Sequence, residues 1–410
     1  MITLRSLMTA LVLMFCCACA GYAQGVWTTD TSTAFVPRYS AASAVIDNRI
    51  YLIGGSEDPQ IPVQYFDPET HTWNTPVLTG EGMFTTEAAA CVLGSNIYVF
   101  GGWNQARGIY DTLRVIDPAV QMVYRPVTSG VFSARVGLTA SVVGNKIYLI
   151  GGETDHIIDT MEVFDPQTNT FTIVHPSGPF DPGVGMSATV MNGKIFLIGG
   201  LNPDHSPSDK LRKFDPARNT WSILSTNGAF TARAFHGAEI LNSKIYIVGG
   251  GSAAFPLYWG GEKDTSAEVE IFDPSTNTWS RPYYPGLFSA RTMLSTGALN
   301  NKLYALGGYR PHGPTNDVEV YDPQATDGTR EESVQTAMTI YPNPATDHVT
   351  VSNIPARTAS SLRVIDALGR CVERASLPAG VNSSELDLTR CAPGIYTVSI
   401  GDSVVRLVKE

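Results

Sequence analysis

The sequence predicts an all-β protein: a six-bladed β-propeller followed by a small Ig-like β-sandwich. Three observations carry that expectation. An apolar strand ending in two glycines comes back six times, as RIYLIGG (49–55), NIYVFGG (96–102), KIYLIGG (146–152), KIFLIGG (194–200), KIYIVGG (244–250) and KLYALGG (302–308). Its first glycines, Gly54, Gly101, Gly151, Gly199, Gly249 and Gly307, stand 47, 50, 48, 50 and 58 residues apart. A period near 50 with a β-run in each unit marks an array whose units bury their faces only by stacking on one another. After residue 337 the period is lost, and short alternating runs broken by turn residues take over.

The chain opens on a targeting segment, residues 1–23. Arg5 supplies the charge, LMTALVLMFCCACA the apolar stretch, and Gly21-Tyr22-Ala23 a small-x-small cleavage site before Gln24. The apolar run is too short for a membrane anchor, and Cys16, Cys17 and Cys19 follow no lipobox-like triplet. A signal peptide and an exported, soluble mature protein are expected.

Each glycine pair leads to a strand ending in Asp-Pro: YFDPETHTW, VIDPAVQMVY, VFDPQTNTF, KFDPARNTW, IFDPSTNTW and VYDPQATDG. Asp accepts a backbone N–H at the first turn position and Pro presets φ at the second. The returning strand carries Trp73, Tyr124, Phe171, Trp221 or Trp279, but the sixth unit has Gly328 in that place. The missing strand stands at the other terminus as Gly25-Val26-Trp27, so the N-terminal strand should complete the last blade and leave no open edge. The stretches SAASAV, EAAACV, GLTASVV, MSATVM, HGAEIL and STGAL, all rich in small residues, read as the innermost strands lining the channel.

With the di-glycine, the Asp-Pro turn and the spaced aromatic all present, residues 24–325 resemble a kelch-repeat β-propeller. That resemblance implies a fold and leaves function open, because such propellers serve as protein binders, glycan-handling proteins and occasional enzymes. Residues 326–337 (TDGTREESVQTA) read as a linker. Residues 338–410 resemble the C-terminal sorting domain of type IX secretion, a tail found in Bacteroidetes and their relatives. YPNPATD, Asp366-Ala367-Leu368-Gly369-Arg370, PGIY at 393–396 and a basic-apolar last strand carry the likeness. It implies passage across the outer membrane, with the secretion machinery as a partner and an extracellular or cell-surface destination.

Composition narrows the partners. The formal net charge is −10, and no Lys/Arg-rich run interrupts it, which argues against nucleic acid. Three cysteines outlast cleavage, Cys91, Cys371 and Cys391; the compartment permits a Cys371–Cys391 disulfide without requiring one. G-x-S-x-G, H-E-x-x-H and phosphate-loop patterns are absent from the sequence. No cofactor, metal or catalytic residue is assigned, and a monomer is expected.

Candidate ligand contacts lie on the face where post-glycine and inter-blade loops emerge together. Four inter-blade loops carry Arg38, Arg135, Arg233 and Arg291 three residues after a recurring Phe, a ring that could recruit a carboxylate or sulfate, although repetition in four blades favours a scaffold role in which Phe wedges between blades and Arg satisfies nearby carbonyls. The loop after the fifth glycine pair is long, with 24 residues between Gly249 and Asp273, and carries Phe255, Tyr258 and Trp259. Trp103 and Tyr309 follow the glycines of blades 2 and 6. Such rings suit stacking on a sugar or on a partner's apolar side chain. His156, His205 and His312 sit in three separate loops without ligand spacing and read as surface histidines. His236 and Glu239 lie three apart on one strand and point to opposite faces, so they form no dyad. The expected function is a secreted binding module for a glycan or protein. The alternative is a carbohydrate-active enzyme, mutarotase-like with Arg233 or Glu239, or oxidase-like. Phe235, where an oxidase would need a phenol, weighs against the oxidase.

Overall fold

Every glycine-pair strand lies second in a run of four antiparallel strands, six such blades form the ring, and in blade 2 Thr79–Gly80 adds a fifth, parallel strand outside Met122–Tyr124. In blade 1 the order is Ala42–Ile46, Arg49–Ile53, Val63–Asp67, Thr72–Asn74. In blade 6 the outer strand is Val26–Asp30, beside Val318–Asp322, with Trp27 opposite Tyr321. The chain divides into two compact units, 1–327 and 328–410. The computed structural model describes residues 25–30, 34–55, 62–80, 85–251, 265–281, 288–311, 313–325, 339–352, 360–366, 371–377, 383–400 and 403–410. The targeting segment, the linker, Phe255, Tyr258, Trp259 and His312 therefore lie outside the described residues.

Local chemistry explains the repeat. In blade 3, Asp165 Oδ1 accepts the Gln167 N–H at 3.0 Å, and Asn169 takes the left-handed conformation (φ 52°) that returns the chain. In blades 1, 3, 4 and 5 the returning aromatic is buried against the Phe of the incoming inter-blade segment, whereas in blade 2 Val123 takes that buried place and Tyr124, expected there, is exposed. Phe35 stacks on Trp73 at 4.2 Å between ring centroids, Phe132 on Phe171 at 5.4 Å, Phe180 on Trp221 at 5.2 Å and Phe230 on Trp279 at 5.1 Å. Trp27 meets Phe288 at 5.0 Å, tilted rather than stacked, so blade 6 too has an aromatic pair although its outer strand comes from the other end of the chain.

The glycine pairs join one blade to the next. The second glycine donates its N–H to the incoming segment of the following blade: Gly102 to Arg135 O at 2.9 Å, Gly200 to Arg233 O at 3.0 Å, Gly308 to Arg38 O at 2.8 Å. The first glycine sits so close to that segment that a Cβ at Gly151 would stand 2.4 Å from Gly183 O, and its φ of +67° is left-handed. Only glycine fits there.

A second ring of bonds runs nearer the axis. Ser40, Glu87, Gly137, Gly185, Phe235 and Met293, one from each blade, all take left-handed φ between 53° and 65°. Each donates its backbone N–H to the carbonyl of the one before at 2.8–3.0 Å, and Ser40 closes the circle onto Met293. This belt fixes the mouth of the channel on the loop face.

The C-terminal unit holds a three-stranded sheet (Thr339–Tyr341, His348–Ser352, Ser383–Asp387) and a four-stranded one built from Ser360–Ile365, Cys371–Leu377, Gly394–Ile400 and Ser403–Lys409. Both sheets contribute to one core, with Val349, Val351 and Leu386 from the first and Leu362, Val364, Val398 and Leu407 from the second. That is a sandwich. Cys391 carries a free thiol, so the permitted disulfide is not formed.

Candidate functional site

The four arginines expected at the channel mouth are not at the surface. Arg38, Arg135, Arg233 and Arg291 are 0–3% exposed. Each points outward along its blade to the second residue of the third strand. Arg135 Nη2 meets Glu162 Oε1 at 2.6 Å, Arg233 Nη1 meets Glu270 Oε2 at 2.6 Å, and Arg291 Nη1 meets Glu319 Oε2 at 2.9 Å. In blade 1, Arg38 Nη2 donates to Gln64 Oε1 at 3.0 Å. Arg135 Nη1 also donates to Gly151 O, and Arg38 Nη1 to Gly54 O, both at 3.1 Å. Their charge is therefore committed inside the scaffold, and their assignment as ligand contacts is withdrawn.

Blades 2 and 4 lack this arginine, having Thr85 and Gly183 in its place, yet they keep the guanidinium. It comes from the strand instead: Arg114 and Arg212 occupy the position where other blades have Gln or Glu. Arg212 Nη1 reaches Gly199 O at 3.1 Å and pairs with Asp181, while in blade 2 the Thr85 hydroxyl takes over the bond to Gly101 O at 2.9 Å. The repeat keeps a buried cation in space while exchanging its place in the sequence.

Trp103 and Tyr309 are half-buried, each on a two-residue hairpin after its glycine pair. They pair with the incoming segments at Thr86 and Thr292, and the Tyr309 ring stands edge-on to Tyr39 at 5.0 Å. They lie on blades 2 and 6, with blade 1 between them, and are not brought together. His156 is exposed and bonded to its neighbour Asp155 at 2.7 Å, and His205 is exposed in the loop of blade 4. Among the described residues no group of three or more His, Cys, Asp and Glu side chains is gathered as a metal would need.

What the ring does bring together is a channel of small residues with isolated carboxyls. A cavity of about 530 Å³ runs between the inner strands, and Glu239 lines it together with Ser187, Thr189 and Thr296. Thr296 Oγ1 donates to Glu239 Oε1 at 2.9 Å. Burial pushes the Glu239 carboxyl up to about 7, against the pull of Thr296 and the Ala298 N–H. A second cavity of about 150 Å³ lies at the belt and is lined by Glu87. Burial, then the charge of Glu153, pushes Glu87 up to about 7. Neither Glu87 Oε2 nor Glu153 Oε2 has a hydrogen-bond partner. His236 lies between the two levels against Phe230, both ring nitrogens unbonded, and burial with Arg233 nearby holds its pKa well below the usual histidine range. Glu239 leans the other way, toward blade 6, so the two do not work as a pair.

Sequence reasoning noted Glu239 and passed over Glu87 as a channel residue. Counted from the recurring Phe, Glu87 falls in the arginine place; counted back from the glycine pair it falls two residues later, in the belt. The second count is the one the backbone obeys.

Comparison with known proteins places this geometry. A family model described as the KLHDC2/KLHL20/DRC7 Kelch-repeats domain matches residues 21–200 and 185–354, and one described as a secretion system C-terminal sorting domain matches 339–410. The chain is similar to the Rab9 effector protein with kelch motifs of Homo sapiens, 34% identical over 138 residues, covering 31% of this chain and 37% of that protein. It is also similar to Kelch domain-containing protein 3 of Rattus norvegicus, 32% identical over 124 residues, covering 29% and 32%. The matched stretch spans about a third of the length of these relatives. The solved structure titled "Structure of YjhT" superposes with a TM-score of 0.58 at 18% identity, over 70% of this chain and 94% of that one, a likeness of fold.

Proposed function

The chain belongs to the kelch-repeat family and ends in a secretion-system sorting domain; from that premise we propose that it is an extracellular module that binds a glycan or a protein through the loop face of its propeller. One observation carries the reading: everything repeated is spent on the scaffold, and what varies is concentrated on that face. The arginines, the stacked aromatics and the glycine pairs hold blades together. The post-glycine loops, by contrast, differ from blade to blade. They present exposed Asp111, Asp155, Asp159, Asp204 and Asp209 on blades 2 to 4 and half-buried Trp103 and Tyr309, and in sequence the loop of blade 5 is the long one that carries Tyr258 and Trp259. Rings of this kind supply stacking area at low entropic cost, and hot spots draw on few residues.

The enzyme alternative has less to work with. Arg233 is ion-paired to Glu270, so a mutarotase-like turnover would rest on Glu239 with no free guanidinium beside it. A glycan array and a pull-down from culture medium, run with the parent and with Tyr258→Ala/Trp259→Ala, test the proposal. Binding that drops at least tenfold in the double variant supports it. Undiminished binding of every hit refutes the site, and turnover of a sugar that depends on Glu239 refutes the module reading.

A further inference from the structure

We propose that the axial channel is a binding site for a small organic cation, one carrying a primary ammonium or guanidinium group on an extended alkyl chain. This site is separate from the loop-face surface and does not depend on it.

The charge of the channel points that way. The mouth cavity and the deeper one share Ala41, Ala88, Leu138, Met186, His236 and Leu294, so they follow one another along the axis. Among the described residues they are lined by two carboxyls, Glu87 at the belt and Glu239 below it, and by no Lys or Arg. The nearest guanidiniums, Arg135, Arg233 and Arg291, are already held by Glu162, Glu270 and Glu319 one layer outward. Once ionised, above about pH 7, a carboxyl in such a place has lost water without gaining a counter-charge. A cation entering the channel supplies it.

Unused hydrogen-bonding capacity points the same way. Glu87 Oε2 is shut away from solvent without a partner, as are the hydroxyls of Ser187 and Thr189 in the deeper cavity. Buried polar atoms in native proteins are almost always paired, so one unpaired carboxyl oxygen and two unpaired hydroxyls, each able to accept, leave room for a donor in the channel wall. An ammonium or guanidinium group offers only donors.

The shape selects among cations. The six belt residues are joined N–H to C=O, so neighbours stand roughly 5 Å apart, the spacing of adjacent strands. A hexagon of that side leaves an opening a few ångström wide, which admits an alkyl chain and turns away a pyranose ring. Alanines at 41, 42, 88, 89 and 90 give the chain an apolar wall. Among the described residues no set of three ligating side chains awaits a metal, which favours an organic cation over a divalent one.

The test is calorimetric titration of the full mature chain with cadaverine and with agmatine, using 1,5-pentanediol as the neutral match in shape and calcium chloride as the inorganic rival. Saturable binding of an amine with none of the diol is expected. Glu239→Gln and Glu87→Gln keep side-chain volume, and each should weaken binding about tenfold, the loss of one charge-assisted hydrogen bond. Thr189→Leu, which narrows the channel without touching a charge, should abolish it while the melting curve stays cooperative. Absence of saturable binding by either amine overturns the proposal. So does equal binding of diol and amine, binding of calcium alone, or amine affinity unchanged in all three variants.

Discussion

Glu239→Gln should change how the stability of the propeller depends on pH. The carboxyl titrates at about 7 in the folded ring, raised by burial from an ordinary 4.5. Between those values the folded protein keeps a proton that the unfolded chain releases. The stabilisation is therefore complete below pH 4.5, falls as pH rises, and is gone above 7. Taking ~1.4 kcal/mol per pKa unit, the stretch from pH 5 to pH 8 removes roughly 2–3 kcal/mol. Other groups titrate nearby, and His236 acts in the opposite sense: its pKa is depressed, so its neutral buried form costs stability as pH falls below 6.5. Asp181 and Asp322, held below the usual 3.8, act only at still lower pH. The informative quantity is therefore the difference between parent and variant, since glutamine does not titrate and the other groups cancel. Reversible urea denaturation at pH 5 and pH 8 should show the variant gaining roughly 2–3 kcal/mol on the parent between the two. A parent–variant gap that is the same at both pH values refutes the picture of a buried, proton-holding Glu239.

Three further outcomes follow from the scaffold and the tail. Arg135→Met strands Glu162 in the interior and should cost about 3–5 kcal/mol, most of it recovered in Arg135→Met/Glu162→Met; if the double variant is no better than the single, the pair is not the coupled unit described. Trp27→Ala should cost about 3–5 kcal/mol in urea denaturation of the ring, because it empties the space between Phe288 and Tyr321, and a loss below 1 kcal/mol would count against blade 6 closing through this strand. Residues 338–410 fused to a periplasmic reporter should carry it to the surface or the medium of a type IX-competent host, and a reporter retained in the periplasm would contradict the address reading.

The fold was legible because its constraints repeat. Gly54 to Gly307 recur since a backbone carbonyl of the next blade presses on each. The Asp of each Asp-Pro turn recurs since its carboxylate holds the turn that follows, and Trp27 could be matched to a gap in the sixth unit because five others showed what belonged there. The arginines show where the same logic misleads. Four of them at one spacing leave open a ring that faces a ligand beside a scaffold role, whereas each is aimed outward at a Gln or Glu 26 to 37 residues further along the chain. The third-strand partner that decides this was present in the sequence, but nothing in a strand pattern says that Gln64, Glu162, Glu270 and Glu319 lie on the face where Arg38, Arg135, Arg233 and Arg291 end. The exchange in blades 2 and 4 hides the rule further, because Arg114 and Arg212 fill the same space from the opposite partner's position. Glu87 was missed for a related reason. Its significance comes from a left-handed residue in each blade, and five of those residues are Ser, Gly, Gly, Phe and Met, with no shared chemistry to mark the position. The candidate ligand positions of this ring are those where the repeat is kept in the backbone and broken in the side chain. Such positions can be found only when backbone register, counted from the glycines, replaces residue likeness as the guide.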